Sequence, residues 1–227
     1  MRRVITIDIE TLPNGEISAI SKQNEKTEDQ LGVDLKTALN GDFGRLLCIG
    51  YIDETPDGKA KRGVIGWDEE SGAFTLNERE MLTEFWQLLR GFRPNFDRIV
   101  GHCIFDFDLK FILKRSVIHG IPPTVDLSFA RYRNTPIYCT CAEWERWSYG
   151  AKISLDKLAK VLGLPSSKAE GINGSHVFDM FQRGEYRALR DYCLRDVALT
   201  RAIYRKMTFA DCASSTGEQI HGARLVA

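Results

Sequence analysis

Two carboxylates lie two residues apart in the run Val4-Ile5-Thr6-Ile7-Asp8-Ile9-Glu10-Thr11. β-Branched residues dominate this run and favour an extended strand, because branching at Cβ restricts χ1 and suits the pleat. Side chains on a strand alternate faces, so Asp8 and Glu10 project together while Ile5, Ile7 and Ile9 project the other way. With no ordinary polar face, the run reads as a central strand covered on both sides. Two like charges there repel and lose hydration, and they persist only where a cation or a shared proton compensates. Hard oxygen donors in such a pair favour Mg²⁺ or Mn²⁺. A plainer reading makes one acid a cap and the other a solvent-facing strand end, and two later acid sites weigh against it.

Those later sites are Asp108 and Asp196. Residues 99–104 read as a strand that runs directly into a helix over 105–115 at Asp106 and Asp108, which places these acids at the strand's C-terminal end, where open α/β sheets put their sites. Tyr192 and Asp196 fall four apart on a helix predicted over 185–206, on one stripe with Leu189, Thr200 and Ile203, so both face inward. For Asp196 alone the competing assignment is an ion pair with Arg187 or Arg195. Together Asp8, Glu10, Asp108 and Asp196 make four inward carboxylates with no evident cluster of buried basic residues to neutralise them. A divalent metal is the economical explanation.

The elements that must position these residues alternate between strand and helix. Residues 46–52 and 61–67 read as second and third strands around the turn Pro56-Asp57-Gly58, an antiparallel meander following the first. Asn77 caps a helix through residue 90 whose apolar face is Met81, Leu82, Phe85, Trp86, Leu88 and Leu89, ended by Gly91 and Pro94. After the turn Ile121-Pro122-Pro123, residues 124–127 are a candidate short strand. Residues 138–149 carry two of the four tryptophans beside charged residues and show no clear period. Ser154 caps a helix over 155–162 that turns Leu155, Leu158, Ala159 and Leu162 inward and stops at Gly163. Residues 13–45 form a long polar excursion, 165–174 a loop, and 208–227 a tail with no apolar period. Residues 1–207 are expected to form a single domain.

A chain of 227 residues suits one α/β domain with a substantial core. Thirty-one basic residues balance 31 acidic ones, so no overall field steers the protein toward nucleic acid or anionic membrane, and any polyanion must be held locally. Met1-Arg2-Arg3 runs straight into the first strand without an apolar signal segment, and no stretch is long enough to cross a bilayer, which makes a cytoplasmic location the expectation. The six cysteines, mostly inside apolar runs, read as buried free thiols of a reducing compartment. Cys139 and Cys141 form a C-x-C pair for which a zinc site would need two further ligands that no nearby spacing supplies.

The order Asp8-x-Glu10, then Gly101-His102-Cys103-Ile104-x-x-Phe107-Asp108-Leu109, then Tyr192-x-x-x-Asp196 resembles the three motifs of the DEDD superfamily of 3′-5′ exonucleases. Tyr192, with Asp191 where the histidine subclass would carry its histidine, resembles the DEDDy branch. The segments Ile153-Ser154-Leu155-Asp156-Lys157-Leu158-Ala159, Leu162-Gly163-Leu164-Pro165 and Tyr192-Cys193 are similar to stand-alone bacterial proteins related to the proofreading domain of family B DNA polymerases. The resemblance covers most of residues 1–206. It has one departure, Cys103, at a position where such proteins often carry asparagine.

This resemblance implies an α/β, RNase H-like fold: a mixed sheet whose first three strands are antiparallel, flanked by helices. It also implies a two-metal mechanism with Mg²⁺ or Mn²⁺, in which Asp8 bridges both cations, Glu10 and Asp196 hold the water-bearing one and Asp108 supports the second. Tyr192 would orient the attacking water, since a phenol with an ordinary pKa of about 10 is a poor proton acceptor near neutrality. By the same resemblance Thr11 and Leu12 would line the pocket for the terminal nucleoside. Phe105 and Phe107 are candidates to stack on a base, and Lys110, Lys114 and Arg115 to meet phosphates. The implied activity releases nucleoside 5′-monophosphates from the 3′ end of a single strand, with DNA favoured over RNA as the partner. RNA 3′-end trimming and a catalytically silent nucleic-acid-binding module are the rivals, and a polymerase or repair partner is not legible in the sequence.

Overall fold

The computed structural model describes residues 2–13, 35–150, 152–165 and 176–210. Its centre is strand β1 (Val4–Leu12), which pairs antiparallel with β2 (Arg45–Glu54) on one side and parallel with β6 (Arg98–Gly101) on the other. β3 (Ala60–Ile65) and β7 (Ile137–Cys139) complete a five-stranded sheet in the order β3-β2-β1-β6-β7. The antiparallel meander of the first three strands is therefore present. Gly66, at φ +88, ends β3 one residue before Trp67, so Trp67 belongs instead to a two-stranded ribbon of β4 (Trp67–Asp68) and β5 (Ala73–Phe74).

Helices cover both faces of the sheet. Helix α1 (Glu78–Leu88) is capped by the Asn77 side chain, which accepts from the Glu80 amide, and it packs Met81, Leu82, Phe85 and Trp86 beneath Ile5, Ile7 and Ile9. Helix α2 (Asp108–His119) adds Leu109, Phe111 and Ile112 to that layer. A buried ion pair joins the two helices. Arg115 donates from Nε and Nη2 to the Glu78 carboxylate at 2.9 and 2.6 Å, and the same carboxylate accepts the Leu46 amide at 2.8 Å. Because α2 begins at Asp108, this pair also fixes the register of a proposed site residue.

Helices α3 (Thr140–Trp144), α4 (Leu155–Val161) and α5 (Val177–Gln182) lead to the last and longest helix, α6 (Tyr186–Met207). The stripe Leu189, Tyr192, Asp196, Thr200 and Ile203 is buried, as its spacing predicts. α6 lies on the face of β1 opposite Ile5, Ile7 and Ile9. It sits close because β2 carries Gly50 beneath it: a Cβ there would lie 2.6 Å from the Cys193 Sγ and 2.8 Å from the Val197 Cγ2. Gly50 is the cross-strand partner of Asp8, so the closest approach of α6 falls beside the acid pair.

Several local expectations differ from the structure. The strand predicted over 99–104 stops at Gly101, and Cys103 takes a left-handed φ of +57. The amides of Asp106 and Phe107 both close back onto the Cys103 carbonyl, so 105–107 is a turn and the helix starts at Asp108. Residues 124–127 form no strand; the Thr124 hydroxyl donates to the Trp86 carbonyl at the end of α1 instead. Ser154 occupies the N-cap of α4 without a side-chain capping bond. The unclear segment 138–149 contains the end of β7 and all of α3, and α5 was not foreseen. Most of the excursion over 13–45, the loop over 165–174 and the tail over 208–227 lies outside the described residues. Among the described residues no helix is long and apolar enough to cross a membrane.

Candidate active site

Strand β6 pairs with β1 only from Val4 to Thr6, so β1 continues past its parallel neighbour and presents Asp8 and Glu10 beyond the end of β6. That point is the C-terminal end of two parallel strands, where α/β sheets open a crevice. Into it α2 delivers its first residue. The Asp108 Oδ1 accepts the Ile9 amide at 3.2 Å, which ties the helix start to the strand between the two acids. From the other face α6 contributes Tyr192 and, one turn later, Asp196, both buried.

The four carboxylates act on one another. Glu10, Asp108 and Asp196 are 7, 2 and 8% exposed, and Asp8 is partly exposed. Burial raises the Asp8 carboxyl well above the usual range, and the charges of Asp108, Glu10 and Asp196 raise it further. Glu10 is raised by burial, then by Asp196 and Asp108. Burial pushes Asp108 up to about 7 even though its own and the Ile9 backbone amides favour its anion. Tyr192 is also pushed above its ordinary value, by burial first and then by Glu10 and Asp196, so its phenol stays protonated near neutrality.

None of the charges that act most strongly on Asp8 and Glu10 is basic; they are acids and the Cys48 thiol. The carboxylates of Asp8, Glu10, Asp108 and Asp196 are oxygen donors of the kind hard divalent cations take, and the tightest group, Asp8 with Glu10, would be shared with Asp108 and Asp196 from the flanking helices. The Cys193 Sγ also lies within 4.8 Å of donor atoms of Asp8 and Glu10. That thiol lacked a sequence signal beyond its place after Tyr192.

The other nominated residues divide. Phe107 lines a cleft with Leu39, Asn40, Gly41, Lys110 and Lys114, next to the start of α2, with its ring 5.8 Å from that of Phe111. Thr11 is buried and its hydroxyl donates to the Ala38 carbonyl at 2.7 Å, in the short 3₁₀ helix Leu35–Leu39. Leu12 is buried in the cluster that contains Leu189 and Tyr192. Phe105 instead packs with Phe129 and Trp147, at 6.0 and 5.4 Å between centroids, in a separate pocket. Arg115 is not a phosphate contact, because it is 4% exposed and its charge is held by Glu78. Lys114 is paired with Asp42 at 2.7 Å, while Lys110 is exposed.

Residues 43–221 match a family described as "Predicted 3'-5' exonuclease related to the exonuclease domain of PolB". The chain belongs to that family. It is thus an enzyme, a 3′-5′ exonuclease that hydrolyses phosphodiester bonds. Among solved structures it is similar to the family B DNA polymerase from the hyperthermophilic archaeon Pyrobaculum calidifontis, with a TM-score of 0.61 and 18% identity. The match covers 92% of this chain and 25% of the polymerase, so the exonuclease spans a quarter of that protein's length. The likeness gives the fold as RNase H-like. No curated protein matches the chain.

Within this exonuclease the two acids at the start of α2 separate cleanly. Asp106 is exposed and paired with Lys152, whereas Asp108 is turned onto β1. Asp108→Asn should slow cleavage on the order of 10²-fold or more, while Asp106→Asn should stay within a few-fold of the parent. Single-turnover rates for the two variants check this, and the reverse ranking would move the site to the other acid.

Proposed function

We propose that this exonuclease shortens single-stranded DNA from its 3′ end, one nucleoside 5′-monophosphate at a time, as a member of the DEDDy branch. The observation that carries the reading is the meeting of Asp8, Glu10, Asp108 and Asp196 beyond the end of β6, with Tyr192 one turn before Asp196 on the buried stripe of α6. These four carboxylates would hold two Mg²⁺ or Mn²⁺ ions. When bound, such a pair supplies Lewis acidity for in-line attack of water on phosphorus and for the charge that develops on the departing 3′ oxygen.

The protein's own groups supply position. Asp108 is oriented by the Ile9 amide, so this carboxylate does not have to be ordered at the moment of reaction. The protonated Tyr192 hydroxyl orients the water through a hydrogen bond and does not serve as a base. Phe107 and Lys110, beside the start of α2, offer a ring face to the terminal base and a cation to a phosphate. Thr11 and Leu12, next after Glu10 on β1, form the floor near the terminal nucleoside.

The roles of the two α6 residues can be told apart. Tyr192→Phe keeps the ring's packing and deletes one hydrogen bond, so it should cleave on the order of 10²-fold more slowly with little change in Mn²⁺ affinity. Asp196→Asn should weaken both. Calorimetric Mn²⁺ titration beside single-turnover cleavage checks the pair. Wild-type rates for Tyr192→Phe would return the tyrosine to a packing role.

The decisive experiment compares 5′-labelled single-stranded DNA and RNA of one sequence, with Mn²⁺ and with chelator. A metal-dependent ladder retreating from the 3′ end of the DNA supports the reading. Faster laddering of the RNA would reassign the enzyme to RNA 3′-end trimming, and no laddering of either would leave a binding module.

A further inference from the structure

Strands β6 and β7 run parallel and end side by side, with Gly101 paired to Cys139. Each strand delivers sulfur or nitrogen donors at that end. His102 and Cys103 follow Gly101, while Cys139 and Cys141 flank Thr140. The Cys103 and Cys141 sulfurs are 2.9 Å apart, and the Cys139 sulfur is 3.5 Å from that of Cys141. Donor atoms of His102, Cys103 and Cys141 all lie within 4.8 Å of one another.

We propose that His102, Cys103, Cys139 and Cys141 form a zinc site, built where the two parallel strands end. The sequence conceals it because the C-x-C pair and the His-Cys pair come from distant stretches of the chain. Three thiolates and one imidazole are a donor set that zinc takes in tetrahedral geometry. Zinc–sulfur bonds of about 2.3 Å place two thiolates roughly 3.8 Å apart, so Cys103 and Cys141 would open by about 1 Å, while Cys139, which touches Cys141 but stands outside the group within 4.8 Å, would turn in as the fourth ligand. One imidazole nitrogen can serve, once the Thr140 hydroxyl now bonded to it gives way to the metal. The ring Nε2 lies 2.9 Å from the Ile153 carbonyl, which fixes the proton there, and leaves Nδ1, 2.8 Å from the Thr140 hydroxyl between the two cysteines, as the unprotonated donor.

Each thiol releases its proton to solvent as zinc enters, and Lys152, which is paired with Asp106 and lies near Cys103 and Cys141, offsets part of the negative charge that results. Cys103 takes the left-handed φ of the turn that leads to Asp108. Zinc here would pin that turn to the start of α3. The role is structural, separate from the carboxylate cluster.

The test measures metal in the whole protein, purified with reductant and dialysed against excess Mg²⁺. One zinc per chain should remain, and Asp8→Ala should retain it while Cys103→Ser and Cys141→Ser lose it. Should the serine variants fail to fold, cobalt decides. Cobalt substituted into the wild-type protein should give thiolate charge-transfer absorption in the near ultraviolet, which carboxylate ligands do not produce. Absence of both retained zinc and that absorption overturns the site, as does zinc loss in Asp8→Ala alone. A Cys103–Cys141 disulfide in the peptide map of the reduced, dialysed protein would overturn it as well.

Discussion

Asp8→Ala should lose cleavage by at least about 10³-fold and yet unfold at a higher temperature than the parent in chelator. Both effects follow from one cause. Asp8 is raised by burial and by three neighbouring carboxylates, so its removal relieves repulsion that the metal-free protein must tolerate. Each kcal/mol recovered raises the melting temperature of a chain this size by about 2–4 °C. With Mn²⁺ present the order should reverse, because the parent gains binding energy that the variant cannot. Differential scanning calorimetry with chelator and with Mn²⁺, beside single-turnover cleavage, checks both halves. Parental rates from a folded, contaminant-free Asp8→Ala protein would remove Asp8 from the chemistry.

The metal-free protein should also lose stability as pH rises through the range where ordinary acids are already ionised. Asp8, Glu10 and Asp108 have folded-state values above their unfolded ones, with Asp108 up to about 7. A raised carboxyl binds its proton more tightly in the folded state, so its contribution is fully present below the unfolded value near 4 and disappears as pH climbs through the folded value. For Asp108 the loss develops as pH climbs toward about 7. Acids held low by cations, such as Asp97 at about 2 beside Arg93, contribute in the opposite sense but finish titrating below this window. Saturating Mn²⁺ should flatten the slope, since it replaces the protons. Denaturant melts at about pH 5, 6, 7 and 8 with and without metal measure it. A metal-free stability that rises over that range would show that the carboxylates do not share one buried cluster.

The parts of this architecture that were legible are those written in local period. Alternation in β1 gives the shared face of Asp8 and Glu10, and the stripe on α6 gives the inward Tyr192 and Asp196. The start of α2 was misplaced because the pattern Phe105-Asp106-Phe107-Asp108 has helical composition, whereas the backbone is held as a turn by bonds to the Cys103 carbonyl. What selects Asp108 over Asp106 is a contact with Ile9, 99 residues away, which no spacing encodes. Arg115 misled in the same way. A cation on a polar helix face reads as solvated, and its neutralising partner Glu78 is 37 residues distant. The thiol cluster was invisible because its two halves lie on separate strands brought together only by the sheet.

Asp8 stands on β1 and Asp196 at the middle of the last described helix. During synthesis the ribosome must therefore extend the chain past residue 196 before the acid cluster can close, and α6 must clear the exit tunnel before it can settle over Gly50. A nascent or truncated chain holds Asp8, Glu10 and Asp108 with no fourth carboxylate and no Tyr192. The cluster thus joins residues nearly 190 apart in sequence, and a chain cut before residue 192 should bind Mn²⁺ more weakly than the whole protein and should not cleave.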